Sequence, residues 1–99
     1  MAEPDLLVKL SEWYAEQCNG DWEHGSGVSI DTVDNPGWHV TVNLRETALE
    51  HVSFEPIDIA NGDSDWMFCF KRDNEFHGAG DPAKLHSIVE HFLKFAGKL

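Results

Sequence analysis

Hydrophobic positions along this chain begin at a helical period, switch to a strand period and return. Leu6, Leu7, Leu10, Trp13, Tyr14 and Cys18 recur every three or four residues, which predicts an amphipathic helix from about Pro4 to Cys18 with Asn19-Gly20 as its stop. From Val28 the period falls to two. Val28 and Ile30 alternate with Ser29 and Asp31, and Trp38, Val40, Val42 and Leu44 alternate with His39, Thr41 and Asn43. Two strands are expected, joined as an antiparallel hairpin through Asp34-Asn35-Pro36-Gly37, where Pro fixes φ and Gly is placed for the positive φ of a type II turn.

A third strand is predicted over His51 to Ile57 with Val52 and Phe54 inward, and Pro56 ends it or puts it at an edge. Ala60-Asn61-Gly62-Asp63 then turns the chain. A fourth strand has Trp66, Phe68 and Phe70 alternating with Met67, Cys69 and Lys71, and Arg72-Asp73-Asn74 leads to a short fifth piece at Glu75 to His77. The helical period returns at Leu85, Ile88, Val89, Phe92, Leu93 and Phe95, with Asp81 as N-cap, Pro82 in the first turn and Gly97 as terminator.

Helix, consecutive strands, helix specifies an α+β fold: an antiparallel sheet of four or five strands with an N-terminal and a C-terminal helix packed on one face. In this arrangement Trp38, Val40, Val42, Val52, Phe54, Trp66, Phe68 and Phe70 point at the helices. The open face then shows Ser29, Asp31, His39, Thr41, Asn43, His51, Ser53, Glu55, Met67, Cys69 and Lys71. That surface is either an ordinary solvated sheet face or an interface.

At 99 residues the chain is read as one domain over 1–99, and four Trp and six Phe suffice for its core without staples. Cys18 and Cys69 are therefore expected to stay reduced. The acidic start Met1-Ala2-Glu3-Pro4-Asp5 does not resemble a signal peptide and no apolar run reaches membrane length, so a cytoplasmic location is expected with no membrane partner. Seven basic against eighteen acidic residues give a formal charge of −11, which repels nucleic acid and attracts basic partners.

Catalytic and metal chemistries find little support in the spacing. Asp21, Glu23, His24, His39, His51, His77 and Asp81 are suitable ligand types, yet no His-Glu-x-x-His, Cys-x-x-Cys or EF-hand pattern arranges them, and no cofactor or metal is expected. Cys18 lies near a helix C-terminus among Glu16, Asp21 and Glu23, surroundings that oppose a thiolate nucleophile. No Gly-x-Ser-x-Gly elbow is present. Gly78-Ala79-Gly80 precedes a helix as a phosphate loop would, but Asp81 occupies the donor end, so the glycines are expected to serve a tight turn with positive φ. An enzyme is not expected; the alternatives kept open are a small metal-binding enzyme and a general protein-interaction module.

Several motifs together are distinctive. Trp13-Tyr14, Gln17-Cys18, Gly20-Asp21-Trp22-Glu23-His24, Asp34-Asn35-Pro36-Gly37-Trp38, Asp65-Trp66 and Phe76-x-Gly78-x-Gly80-Asp81 resemble the immunity protein 53 family of bacterial polymorphic toxin systems, over nearly the whole chain. The resemblance implies a small α+β protein that binds the cognate toxin domain made beside it, and it implies no catalytic residues. An acidic inhibitor suits a basic toxin such as a nuclease. Candidate contact residues follow from the residues themselves: Trp22 surrounded by Asp21, Glu23 and His24, then Trp38 at the hairpin, with His39 and His51 on the open face. The alternative for Trp22 and Trp38 is a place in the core.

Overall fold

The computed structural model describes residues 5–25 and 27–99. Its first helix, α1 (Leu6–Gln17), starts where the Asp5 carboxylate accepts hydrogen bonds from the amides of Leu7 and Val8 at 3.0 and 3.3 Å. The predicted start at Pro4 lies outside the described residues. Gly20, at φ +95°, turns the chain after the helix, and a single turn that periodicity did not announce follows as α2 (Trp22–Gly25). Reciprocal capping makes that turn. Asn19 Oδ1 accepts from the amides of Asp21 and Trp22, while the Glu23 carboxylate accepts from those of Asn19 and Gly20.

Five antiparallel strands follow: β1 (Val28–Val33), β2 (Gly37–Asn43), β3 (Ile57–Ala60), β4 (Trp66–Arg72) and β5 (Glu75–Gly80). Their spatial order is β1-β2-β5-β4-β3, so the expected short fifth piece runs on to Gly80 and is the central strand. The final helix, α3 (Leu85–Phe95), lies on β5 and β2, with α1 packed against α3. Ile88, Val89, Phe92 and Leu93 are its buried stripe. It ends in a Schellman arrangement at Gly97 (φ +77°), where the amides of Lys98 and Gly97 donate to Leu93 O and Lys94 O.

The hairpin of β1 and β2 pairs as expected, Ile30 opposite Val40 and Asp31 opposite His39. Its turn differs. The Asn35–Pro36 peptide is cis, and Gly37 is a strand residue without positive φ. Gly37 is required because a Cβ there would collide with Gly80 O and sit 3.0 Å from Cζ2 of Trp66. Gly78 and Gly80 are corrected in the same way. They lie in β5, where a Cβ on Gly78 would run into Ile88 and one on Gly80 would come within 2.7 Å of Lys84 Cβ, so their absent side chains let α3 approach the sheet.

The predicted strand over His51 to Ile57 is also corrected: residues 52–56 carry no strand, and β3 begins only after Pro56, which has no N–H to give to a ladder. Phe54 nevertheless reaches the core, edge-on to Phe76 and Phe95 at 5.3 and 5.1 Å, while Val52 is exposed. Lys71 secures this loop. Its ammonium donates to the carbonyls of Leu49, Glu50 and Val52 at 2.9, 2.7 and 2.6 Å, which turns it away from the open face where it was expected.

The largest correction concerns β4, whose two faces are reversed from expectation. Met67 pairs with Gly80 and Cys69 with Gly78, and both side chains are buried in the core on the face of the sheet that carries α3. The close approach of α3 to these glycines leaves modest space on that side, which an unbranched Met and a Cys fill. Trp66, Phe68 and Phe70 therefore stand on the opposite face.

Asp81 is not the N-cap of α3, which starts after Lys84. It is 1% exposed and sits three residues earlier, accepting from the amides of Trp66 (2.9 Å) and Ala83 (2.8 Å) and from Lys84 Nζ (2.7 Å). One carboxylate thus fastens the start of β4 to the turn that leads into α3.

Candidate functional site

The reversal of β4 creates the most distinctive surface of the molecule. A strand with one solvated face normally alternates apolar and polar residues, whereas Trp66-Met67-Phe68-Cys69-Phe70 is apolar without interruption, the pattern of a strand covered on both sides. Among the described residues only the inner side, with Met67 and Cys69, is buried in the core. On the outer side Trp66 and Phe68 lie 5.8 Å apart, and Phe68 is 37% exposed.

The neighbouring strands extend this plate. Phe70 stacks on His77 of β5 at 5.1 Å and 15°, and His77 stacks on His39 of β2 at 6.0 Å and 19°. Three rings thus lie nearly parallel across three strands. Ala79 lies between Phe68 and His39 in the register and adds only a methyl group, which leaves the centre of the plate low.

Charges border the rings. Strand alternation puts Asp31 on the same face opposite His39, Asp58 opposite Phe68 and Glu75 opposite Arg72. Glu75 Oε1 is 3.4 Å from His77 Nε2, and the Arg72 guanidinium lies 5.1 Å from the centre of the Phe70 ring. Phe70 therefore already holds a cation over its ring.

The residues selected from sequence separate into four places. His39 lies on the open face as expected. Trp22 is 4% exposed, packed edge-on to Trp13 at 5.9 Å and tilted against Tyr14 at 5.7 Å, so its ring is part of the core. Its Nε1 has no hydrogen-bond acceptor among the described residues. Asp21 and His24 are exposed beside it, while Glu23 is committed to the cap: hydrogen bonds from its own amide and those of Asn19 and Gly20 hold its carboxyl below the usual range. Trp38 is half-buried against the core and donates Nε1–H to Pro82 O at 3.0 Å. His51 is solvent-exposed in the loop before β3, on an open cleft of about 380 Å³ with Phe54, Lys71 and Arg72. The structure does not bring these seven residues together.

Trp66, Phe68, Phe70 and His77 were not selected as contact residues. The unbroken apolar run was the available signal, and assigning it a single inward face concealed it.

Ionisable groups away from this face serve structure. Burial raises the Cys69 thiol to about 11, which leaves it protonated and unreactive at neutral pH. A hydrogen bond from Lys84, with those from the Trp66 and Ala83 amides, holds Asp81 down to about 2. Asp65 is lowered chiefly by the same lysine at 2.8 Å, and Lys84 is raised by Asp65 and then Asp81. Among the described residues no three His, Cys, Asp or Glu side chains converge in a way that could hold a metal ion, and no helix is long and apolar enough to cross a membrane.

Comparison with curated proteins and with solved structures returns no match to this chain. A family model does match it, that of Immunity protein 53, over residues 7–97. The match takes in all five strands, α3 and all of α1 but its first residue, and the chain belongs to the Immunity protein 53 family.

Proposed function

We propose that this chain neutralises a cognate toxin domain by binding it stoichiometrically, either covering the toxin's active site or holding it in an inactive form. Family membership across residues 7–97 carries this reading. It assigns no catalytic role to the inhibitor. The formal charge of −11 favours a basic toxin, such as a nuclease whose own surface must attract phosphate, because opposite net charges raise the encounter rate.

Co-expression with the toxin domain encoded beside this chain tests the proposal. Expected are survival of the producing cell and a complex that co-purifies at low salt and weakens at high salt. Continued killing, with no co-purification by a chain that circular dichroism shows to be folded, would overturn it.

A further inference from the structure

We infer that the toxin docks on the open face of the sheet, and that this face recognises arginine- and lysine-bearing protein surface by laying the cations on Trp66 and Phe68 beside Asp58. The inference rests on the immunity reading above and assigns the contact surface that reading leaves open.

Three observations meet at this face. The sequence of β4 is apolar on both sides while, among the described residues, only its Met67 and Cys69 side is buried, so Phe68 is exposed and Trp66 and Phe70 are half-buried at a cost that a partner would remove. Arg72 over Phe70 demonstrates within the molecule how such a ring receives a guanidinium, and Trp66 and Phe68 are the rings left over in the same row. Asp58 opposite Phe68 pairs a carboxylate with the exposed ring as arginine recognition requires, and Asp31 opposite His39 adds negative charge at the far margin, three strands away. The stacking of Phe70, His77 and His39 fixes these side chains before any partner arrives, which reduces the ordering cost of association.

The experiment uses the full chain and the toxin domain encoded beside it, made harmless by an inactivating substitution, with affinity measured by calorimetry and protection scored in cells. Phe68→Ala and the charge reversal Asp58→Lys are compared with Leu7→Glu, which alters a 65% exposed apolar residue on α1. Circular dichroism and thermal melts confirm that each variant is folded. The expected result is at least about tenfold weaker binding and lost protection for Phe68→Ala and Asp58→Lys, with Leu7→Glu unchanged. Unchanged binding by both open-face variants, or a loss confined to Leu7→Glu, would overturn the docking surface while leaving the immunity function intact. A wild-type chain that neither binds nor protects would overturn the immunity reading and this inference with it. A wild-type dimer that Phe68→Ala dissociates without weakening toxin binding would assign the face to a second copy and also overturn it.

Discussion

Two single residues show how closely α3 is fitted to the sheet. Gly78→Ala drives a Cβ into Ile88, so either α3 moves outward or Ile88 changes rotamer, and a cost of about 1–3 kcal/mol is expected from urea unfolding. Gly25→Ala is the matched control, since a Cβ there meets nothing within 4 Å, and its effect is expected to stay within about 1 kcal/mol. Asp81 works through charge. Its folded value of about 2 lies below the ordinary 3.8, so the folded protein binds this proton less readily than the unfolded chain does. Its stabilising contribution is complete above about pH 4 and disappears as the pH falls through about 2. Lys84 has the opposite sign: its raised value contributes fully below the ordinary 10.5 and is lost as the pH rises through the folded value. Asp81→Asn is therefore expected to lower the melting temperature at neutral pH, with the gap from wild type narrowing as acid protonates the native carboxylate. Melts at about pH 7, 4 and 2 check this, and a gap independent of pH would remove the ion pair as its cause.

At the scale of elements, the segment from Asn19 to Gly25 behaves as one capped unit whose main attachment is the Trp22 ring against Trp13 and Tyr14. Trp22→Ala is expected to cost about 3–5 kcal/mol in chemical unfolding. Any loss of toxin binding should then follow the fraction unfolded and return when the variant is assayed at lower temperature. The loop before β3 depends similarly on Lys71. Lys71→Met removes three charge-assisted donors, and hydrogen exchange should quicken at residues 49–54 ahead of global unfolding, with about 1–3 kcal/mol lost locally. Both long helices, the first hairpin and the α+β class were legible because their periods are clean. The strand at 57–60 was not, since Val52 and Phe54 imitate a strand while one is exposed and the other packs from a loop. The faces of β4 were not legible either, because a run apolar at every position gives alternation nothing to choose between. Gly78 and Gly80 held the missing information. A strand neighbour that must lack Cβ tells which side the helix lies on, but only once β5 is known to sit between β2 and β4. Trp22 drew notice for a different reason, as a costly side chain near a turn, and its cost is met by the core.

For the molecule as a whole, net charge and the open face are expected to act on different steps of association. A charge of −11 acts at long range, raises the encounter rate with a basic partner and is screened beyond about 8 Å at physiological ionic strength. Stacked rings act only on contact, when water leaves them, and so govern how long the complex lasts. These contributions are separable in one kinetic experiment with the inactivated toxin domain. Raising salt from about 0.05 to about 0.5 M should reduce the association rate constant by about tenfold or more, with a smaller effect on dissociation. Phe68→Ala should show the reverse, a faster dissociation with an association rate constant within about twofold of wild type. Asp58→Lys changes both charge and contact, so it is expected to lower the first constant and raise the second. A Phe68→Ala variant that slows association while leaving dissociation unchanged would place that ring outside the bound interface, and the plate of rings would then have to be explained by something other than the toxin.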